Sequence, residues 1–220
     1  MWPQNLTQTG RREVLHLLRS HDLSVSALFI PMRRSLDNPE HLEARLEQIR
    51  LTMALAYDLG PRLVIIQPGK LPAQEKEITP QAQLMRESLE ALGKHGDRIG
   101  VKVALDGGLD EPATMAAYLD RLDVGSLAVN YNPANYALNG FNAYDAVRTL
   151  GRRIANVHAQ DMRRINPSRL ASAPLGHGDI DWMQLLANFE EVEYRAYMTV
   201  VADNRVEAEA GIDFLRRVVK

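Results

Sequence analysis

His158 sits in the run Asn156-Val157-His158-Ala159-Gln160-Asp161, where an apolar segment carrying Ile154, Ala155 and Val157 meets polar side chains that continue through Arg163 and Arg164. An imidazole changes charge or ligates a metal near neutral pH. A buried strand ending in such a cluster points to a place where a ligand is handled. The same stretch runs on through Pro174-Leu175-Gly176-His177-Gly178 to Trp182, which makes His177 a second candidate, in a glycine-flanked loop that either touches a ligand or only turns the chain. Comparable residues close other apolar runs: Arg33 and Arg34, Gln67 with Lys70 just beyond it, Asp106, Asn130 and Asn132, and Asp203. Two adjacent guanidinium groups at 33 and 34 can take a phosphate or carboxylate in forked geometry. His16, His21, His41 and His95 lie in or beside helical patterns with no ligand types around them and read as surface residues.

These positions recur because the chain alternates helical and strand patterns. Val14, Leu15, Leu17 and Leu18 share one face of a helix over 11–20, and 24–32 (SVSALFIPM) reads as a strand. Asn38-Pro39 starts a helix that runs through Leu42, Leu46, Ile49, Met53 and Ala56 to Gly60, and 63–67 is an unbroken apolar strand of the kind covered on both faces. Thr79-Pro80 opens the next helix. Strands at 101–106, 127–132, 154–158 and 197–202 then alternate with helices at 112–122, 143–150, 182–189 and 206–219; with these six placed, about seven strands are expected in a single domain spanning 1–220. Such alternation leaves an open doubly wound sheet or a (β/α) barrel. No Gly-x-Gly-x-x-Gly follows the first strand and no Walker-type phosphate loop occurs, so nucleotide-binding versions of the open sheet lose support. A barrel gathers its strand ends at one mouth, which is where the polar residues fall.

With 220 residues, 45% hydrophobic and 25% charged, the chain can bury a sizeable core. Its net charge of -2 gives no general attraction for nucleic acid or anionic membranes. It has no cysteine, which excludes disulfides and thiolate metal sites. No apolar run reaches the roughly 20 residues that cross a bilayer and no signal-peptide pattern opens the sequence, so a cytoplasmic location is expected.

On LTQTGRREVLHLLRSHDLSVSAL, LAYDLGPRLVIIQPG, VKVALDGG, VNYNPANYALNGF, NVHAQD and APLGHGDIDWMQLLANFEEVEYRAYMTV, the chain resembles the sugar phosphate isomerase/epimerase family, the xylose isomerase-like TIM barrels. The resemblance covers nearly the whole chain. Its most specific part is His-x-x-Asp followed by a Pro-Leu-Gly-x-Gly loop and a Trp-bearing helix. It implies an α/β TIM-barrel-like fold and a small sugar or sugar phosphate as partner. It also implies a divalent metal (Mn²⁺, Mg²⁺ or Zn²⁺) held by a Glu, an Asp, a His and a second Glu at strand ends, the two Glu moving a proton beside a sugar carbonyl.

Carried over residue by residue, the first Glu falls on Asp106, the Asp on Asn132, the His on His158 and the last Glu on Val201. Asp106 or His158 is then the base, and the same two residues are what remains of the metal site. Arg33, Arg34, Gln67, Lys70, Asn130, Asn132, Asp161 and His177 are placed around the substrate. One carboxylate, one amide and one imidazole suit a hard cation poorly, so metal binding is expected to be weak or lost. Asp203 lies about 6.6 Å past Val201 on the same strand face, so that for it to act as a substitute carboxylate the metal cage would have to be rebuilt. The implied activity is isomerisation or epimerisation. The replacements at Asn132 and Val201 keep open an inactive relative that binds a sugar-like ligand or serves as an assembly subunit. The family's first strand has no counterpart before LTQTG, so strands 24–30 and 197–202 are each expected to lack a neighbour, and the chain either to self-associate through that seam or to be markedly less stable than a version extended by an upstream strand.

Overall fold

The computed structural model describes residues 3–72, 79–166 and 169–219. Their contacts form two compact units, one of Met1–Leu105 with Tyr118–Ala128 and the other of Asp106–Ala117 with Val129–Lys220.

In the first unit, helix α1 (Gln8–Ser20) is opened by Thr7, whose hydroxyl accepts from the Gly10 N–H, and strand β1 (Leu28–Ile30) follows. Helix α2 (Leu42–Leu59) starts after His41 and not at the Asn38-Pro39 pair that the sequence suggests, buries Leu46, Ile49, Met53 and Ala56 on one side, and stops at Gly60 where the pattern predicts. Strand β2 (Leu63–Ile66) is buried at every residue, which fits its unbroken apolar run. Helix α3 (Pro80–Ile99) starts at the Thr79-Pro80 pair, with the Thr79 hydroxyl capping the Ala82 N–H. Strand β3 (Lys102–Asp106) then pairs in parallel with β2, and β2 with β1, so that Phe29, Ile65 and Ala104 lie in one row. The loops after β1 and β2 are laced together by the Leu36 N–H donating to the Pro68 carbonyl at 2.8 Å. Those loops carry Arg33, Arg34, Gln67 and Lys70.

The second unit holds the end of strand β4 (Leu127–Tyr131), strand β5 (Ile154–Ala159) and the short strand β8 (Met198–Val200), all parallel with β5 in the middle. Between them come helices α5 (Pro133–Leu138), α6 (Ala143–Leu150) and α7 (Trp182–Glu191), and α8 (Arg205–Val218) closes the chain; helix α4 (Pro112–Asp120) begins in this unit. On β4 the side chains alternate. Tyr131 is fully buried, stacks on Tyr136 at 5.4 Å, meets the edge of Phe189 at 5.4 Å and donates its hydroxyl to the Ala143 carbonyl at 2.7 Å. Asn130 and Asn132 take the opposite face. A register irregularity between Val129 and Asn130 brings Asn130 level with Asn156 on β5.

Two further expectations are corrected. Among the described residues the parallel strands number three in β1, β2 and β3 and three in β4, β5 and β8. The stretch after His158, read as a loop, instead forms an antiparallel ribbon, β6 (Asp161–Asn166) with β7 (Arg169–Ala173). Its polar alternation is the period of a two-stranded ribbon exposed over most of its length, a pattern that a search for buried parallel strands passes over.

Candidate functional site

Asp106 ends β3, Asn130 lies in β4, and Asn156 and His158 share one face of β5. All four belong to the second unit. Period-two alternation puts Asn156 and His158 one above the other, and the level register of Asn130 with Asn156 completes the group. The Asn130 amide nitrogen donates to Asp106 Oδ1 at 2.7 Å and contacts His158 Nδ1 at 3.0 Å, while the Asn156 amide nitrogen donates to Asn130 Oδ1 at 2.8 Å. An ionised carboxylate only accepts, so the Asn130 nitrogen faces Asp106 and its oxygen faces Asn156. The second N–H of that amide then meets His158 Nδ1 as an acceptor, which leaves the ring proton of neutral His158 on Nε2. Burial pushes the His158 imidazole below its ordinary pKa, and the nearby Asp106 charge opposes that in part. Asn130 and Asn156 are both fully buried, Asp106 and His158 only partly.

The loop after β3 packs down on this group. The Gly107 N–H donates to the Asn130 carbonyl at 2.9 Å, and a Cβ at 107 would stand 2.5 Å from the Tyr136 hydroxyl, so only glycine fits there. That hydroxyl is buried with no hydrogen-bond partner among the described residues; burial, then Asp110 and Asp106, hold its proton on.

The other predicted site residues stand outside this hydrogen-bonded group. Asn132 caps α5, its Oδ1 accepting from the N–H groups of Ala134 at 3.0 Å and Asn135 at 3.4 Å, and its amide nitrogen donates to Gln160 Oε1 at 2.9 Å. Asp161, expected beside the substrate, is 1% exposed. Its oxygens accept from the backbone N–H groups of Met162 (2.8 Å), Gly176 (3.0 Å), Gly178 (3.0 Å) and Ile180 (3.3 Å) and from the Trp182 indole N–H (3.2 Å). The motif His-x-x-Asp, Gly-x-Gly, Trp is therefore a latch that shapes the 174–182 loop, and the Asp161 carboxylate is engaged within the fold. A Cβ at Gly178 would collide with that carboxylate. His177 is exposed in a turn, its N–H donating to the Pro174 carbonyl at 2.9 Å. Arg33, Arg34, Gln67 and Lys70 are exposed in the first unit, where Arg34 pairs with Glu40. Val201 is 38% exposed and its N–H continues the ladder to the Ala159 carbonyl at 3.0 Å; Asp203 is exposed beyond it. Asn156 went unnoticed in the sequence, although its place two residues before His158 on a strand puts it on the same face.

The family model for xylose isomerase-like TIM barrels matches residues 2–218. The chain belongs to this family. Among solved xylose isomerase-like structures, a xylose isomerase domain protein from Planctomyces limnophilus is 17% identical with a TM-score of 0.85, over 97% of this chain and 82% of that one. A D-tagatose 3-epimerase-like protein is 17% identical with a TM-score of 0.80, over 97% and 83%. A xylose isomerase-like TIM barrel protein from Mycobacterium smegmatis in complex with magnesium is 18% identical with a TM-score of 0.76, over 97% and 78%. No curated protein matches the chain in sequence. The residues present do not fit the divalent metal that the xylose isomerase-like family implies: among the described residues no three His, Cys, Asp or Glu side chains converge. Asp106 and His158 do converge, on the amide nitrogen of Asn130.

Proposed function

We propose that the chain is a sugar or sugar-phosphate isomerase/epimerase-like protein that moves a proton beside a carbonyl. Family membership supports this, as does the likeness to an epimerase-like structure. The observation that carries it is the Asp106–Asn130–His158 group, a partly exposed carboxylate and imidazole held by one buried amide. Asp106 takes the proton from the carbon next to the carbonyl, the electron pair moves onto the carbonyl oxygen, and the His158 Nε2–H donates to the oxygen as charge grows there. Return of the proton to the other face or the neighbouring carbon completes epimerisation or isomerisation. We place Arg33, Gln67 and Lys70 as a phosphate- and hydroxyl-binding set on their own loops, the protein in the cytoplasm, and a second copy of the chain at the free side of β8. No helix among the described residues is long and apolar enough to cross a membrane.

The test is exchange of substrate carbon-bound hydrogen in D₂O, followed by proton NMR on a panel of ketoses and their phosphates. Exchange is expected with the wild type, falling at least about 100-fold in Asp106→Asn and in His158→Gln. Val201, which puts an apolar side chain where the family's second acid–base residue stands, favours a second reading, a binder without turnover. Calorimetric binding of a sugar without any exchange would select that reading.

A further inference from the structure

We infer that the Asn130 amide nitrogen occupies the cation position of this site, so that the Asp106–His158 pair is assembled without a metal. This stands apart from whether the protein turns over a sugar. Asp106 Oδ1 and His158 Nδ1 are ligand-type atoms, and both are directed at the same protein nitrogen, at 2.7 and 3.0 Å. An amide NH₂ offers two N–H donors with fixed divergence, so it satisfies two acceptors at once while carrying no charge. It performs for these two groups what a cation would, orienting both lone pairs inward.

The amide has little freedom to step aside. Asn130 is fully buried, its Oδ1 is tied to the equally buried Asn156 amide at 2.8 Å, and its backbone carbonyl accepts from the Gly107 N–H at 2.9 Å. Rotating it out to admit a cation breaks all three side-chain contacts in a buried place, where an unmet polar group is expensive. A cation that did enter would find one carboxylate and one imidazole, and hard divalent ions take more anionic oxygen than that. Asn130 is thus a positioning residue, and it also holds His158 in the Nε2–H tautomer.

The consequence is that a single substitution should build what the site lacks. Asn130→Asp sets a second carboxylate against Asp106 and His158, giving three side chains of ligand type; without a cation the two carboxylates repel, and with one they are drawn together. Two measurements test the inference on the full-length protein. The first is the ¹⁵N spectrum of the histidine rings with and without MgCl₂ or ZnCl₂: the wild type is expected to show His158 as the Nε2–H tautomer, unchanged by either salt. The second is calorimetry and melting with MnCl₂: no saturable His158-dependent binding in the wild type, and in Asn130→Asp a binding at least about tenfold tighter, with a raised melting midpoint and loss of both on adding His158→Ala. A wild-type His158 protonated on Nδ1, or wild-type Mn²⁺ binding that disappears in His158→Ala, overturns the inference. So does a folded Asn130→Asp protein that binds Mn²⁺ no better than the wild type. If Asn130→Asp does not fold even with Mn²⁺, the wild-type tautomer alone decides.

Discussion

Two aspartates show how differently one residue type can be used. Asp106 ends β3 and meets a side-chain amide at a partly open site, whereas Asp161, at the start of β6, is buried and gathers four backbone N–H groups and an indole. Asp161→Asn turns one acceptor into a donor against those groups and should lower stability by about 3 kcal/mol, roughly 10 °C in melting midpoint, with the far-UV spectrum retained below the transition. Gly178→Ala, which pushes a methyl into the same carboxylate, should act in the same direction by about 1–3 kcal/mol. His158 gives a pH dependence with a definite sign. Burial depresses its folded-state pKa, so the unfolded chain takes up a proton first as pH falls through the ordinary value of 6.5. The stability that His158 contributes is therefore full above pH 6.5 and declines below it. Urea denaturation at stepped pH should show the wild type losing more stability than His158→Gln between about pH 6.5 and 5; parallel curves would mean that His158 is as easily protonated folded as unfolded. Asp106, Asn130 and His158 were legible as strand-end polar residues. The role of Asp161 was not, because a carboxylate facing a ligand and one facing backbone N–H groups look alike until the loop they bind has a shape.

Helices were the most legible elements, since their boundaries are written in local chemistry: Thr79-Pro80 opens α3 and Gly60 closes α2 where the pattern places them. Helix α5 escaped notice because its six residues are too short for an apolar period to register; its cap residue Asn132 was assigned to the site instead. The cap makes a prediction. Asn132→Ala should destabilise by about 1 kcal/mol and Asn132→Asp by less, because aspartate caps equally well but cannot donate to Gln160 Oε1, with thermal melts as the readout; a large loss of substrate binding with unchanged stability would return Asn132 to the site. Strand β8 raises a separate question. It pairs with β5 and with no other strand among the described residues, and an apolar groove of about 1060 Å³ along it is lined by Met183, Leu186, Phe189, Tyr197 and Ile212. Tyr197 and Met183 are more than half exposed. A second copy added at this edge would extend the parallel pairing beyond β8. Light scattering is expected to give more than the monomer mass, and Val201→Lys, which sets a charge on the edge, should return it to the monomer. A wild type that stays monomeric at every concentration tried would rule out association there.

At the level of the whole chain, neither compact unit is a continuous stretch of sequence. Asp106–Ala117 belongs with the residues from Val129 onward, and Tyr118–Ala128 with those before Asp106. A cut after Ala128 therefore leaves Asp106 and Gly107 on one piece and their hydrogen-bond partners Asn130 and Asn135 on the other. The piece 129–220 alone would expose a fully buried asparagine whose carbonyl and amide have both lost their acceptor or donor, so it should be loosely structured by itself. Mixed with 1–128, it should recover the His158 ring signals of the intact protein, and a melt of 129–220 alone as cooperative as that of the mixture would contradict this. The threading of twelve residues, Asp106–Ala117, into the far side of the sequence thus makes the protein a natural candidate for a split reporter, dark in halves and assembled only when the borrowed segment is returned.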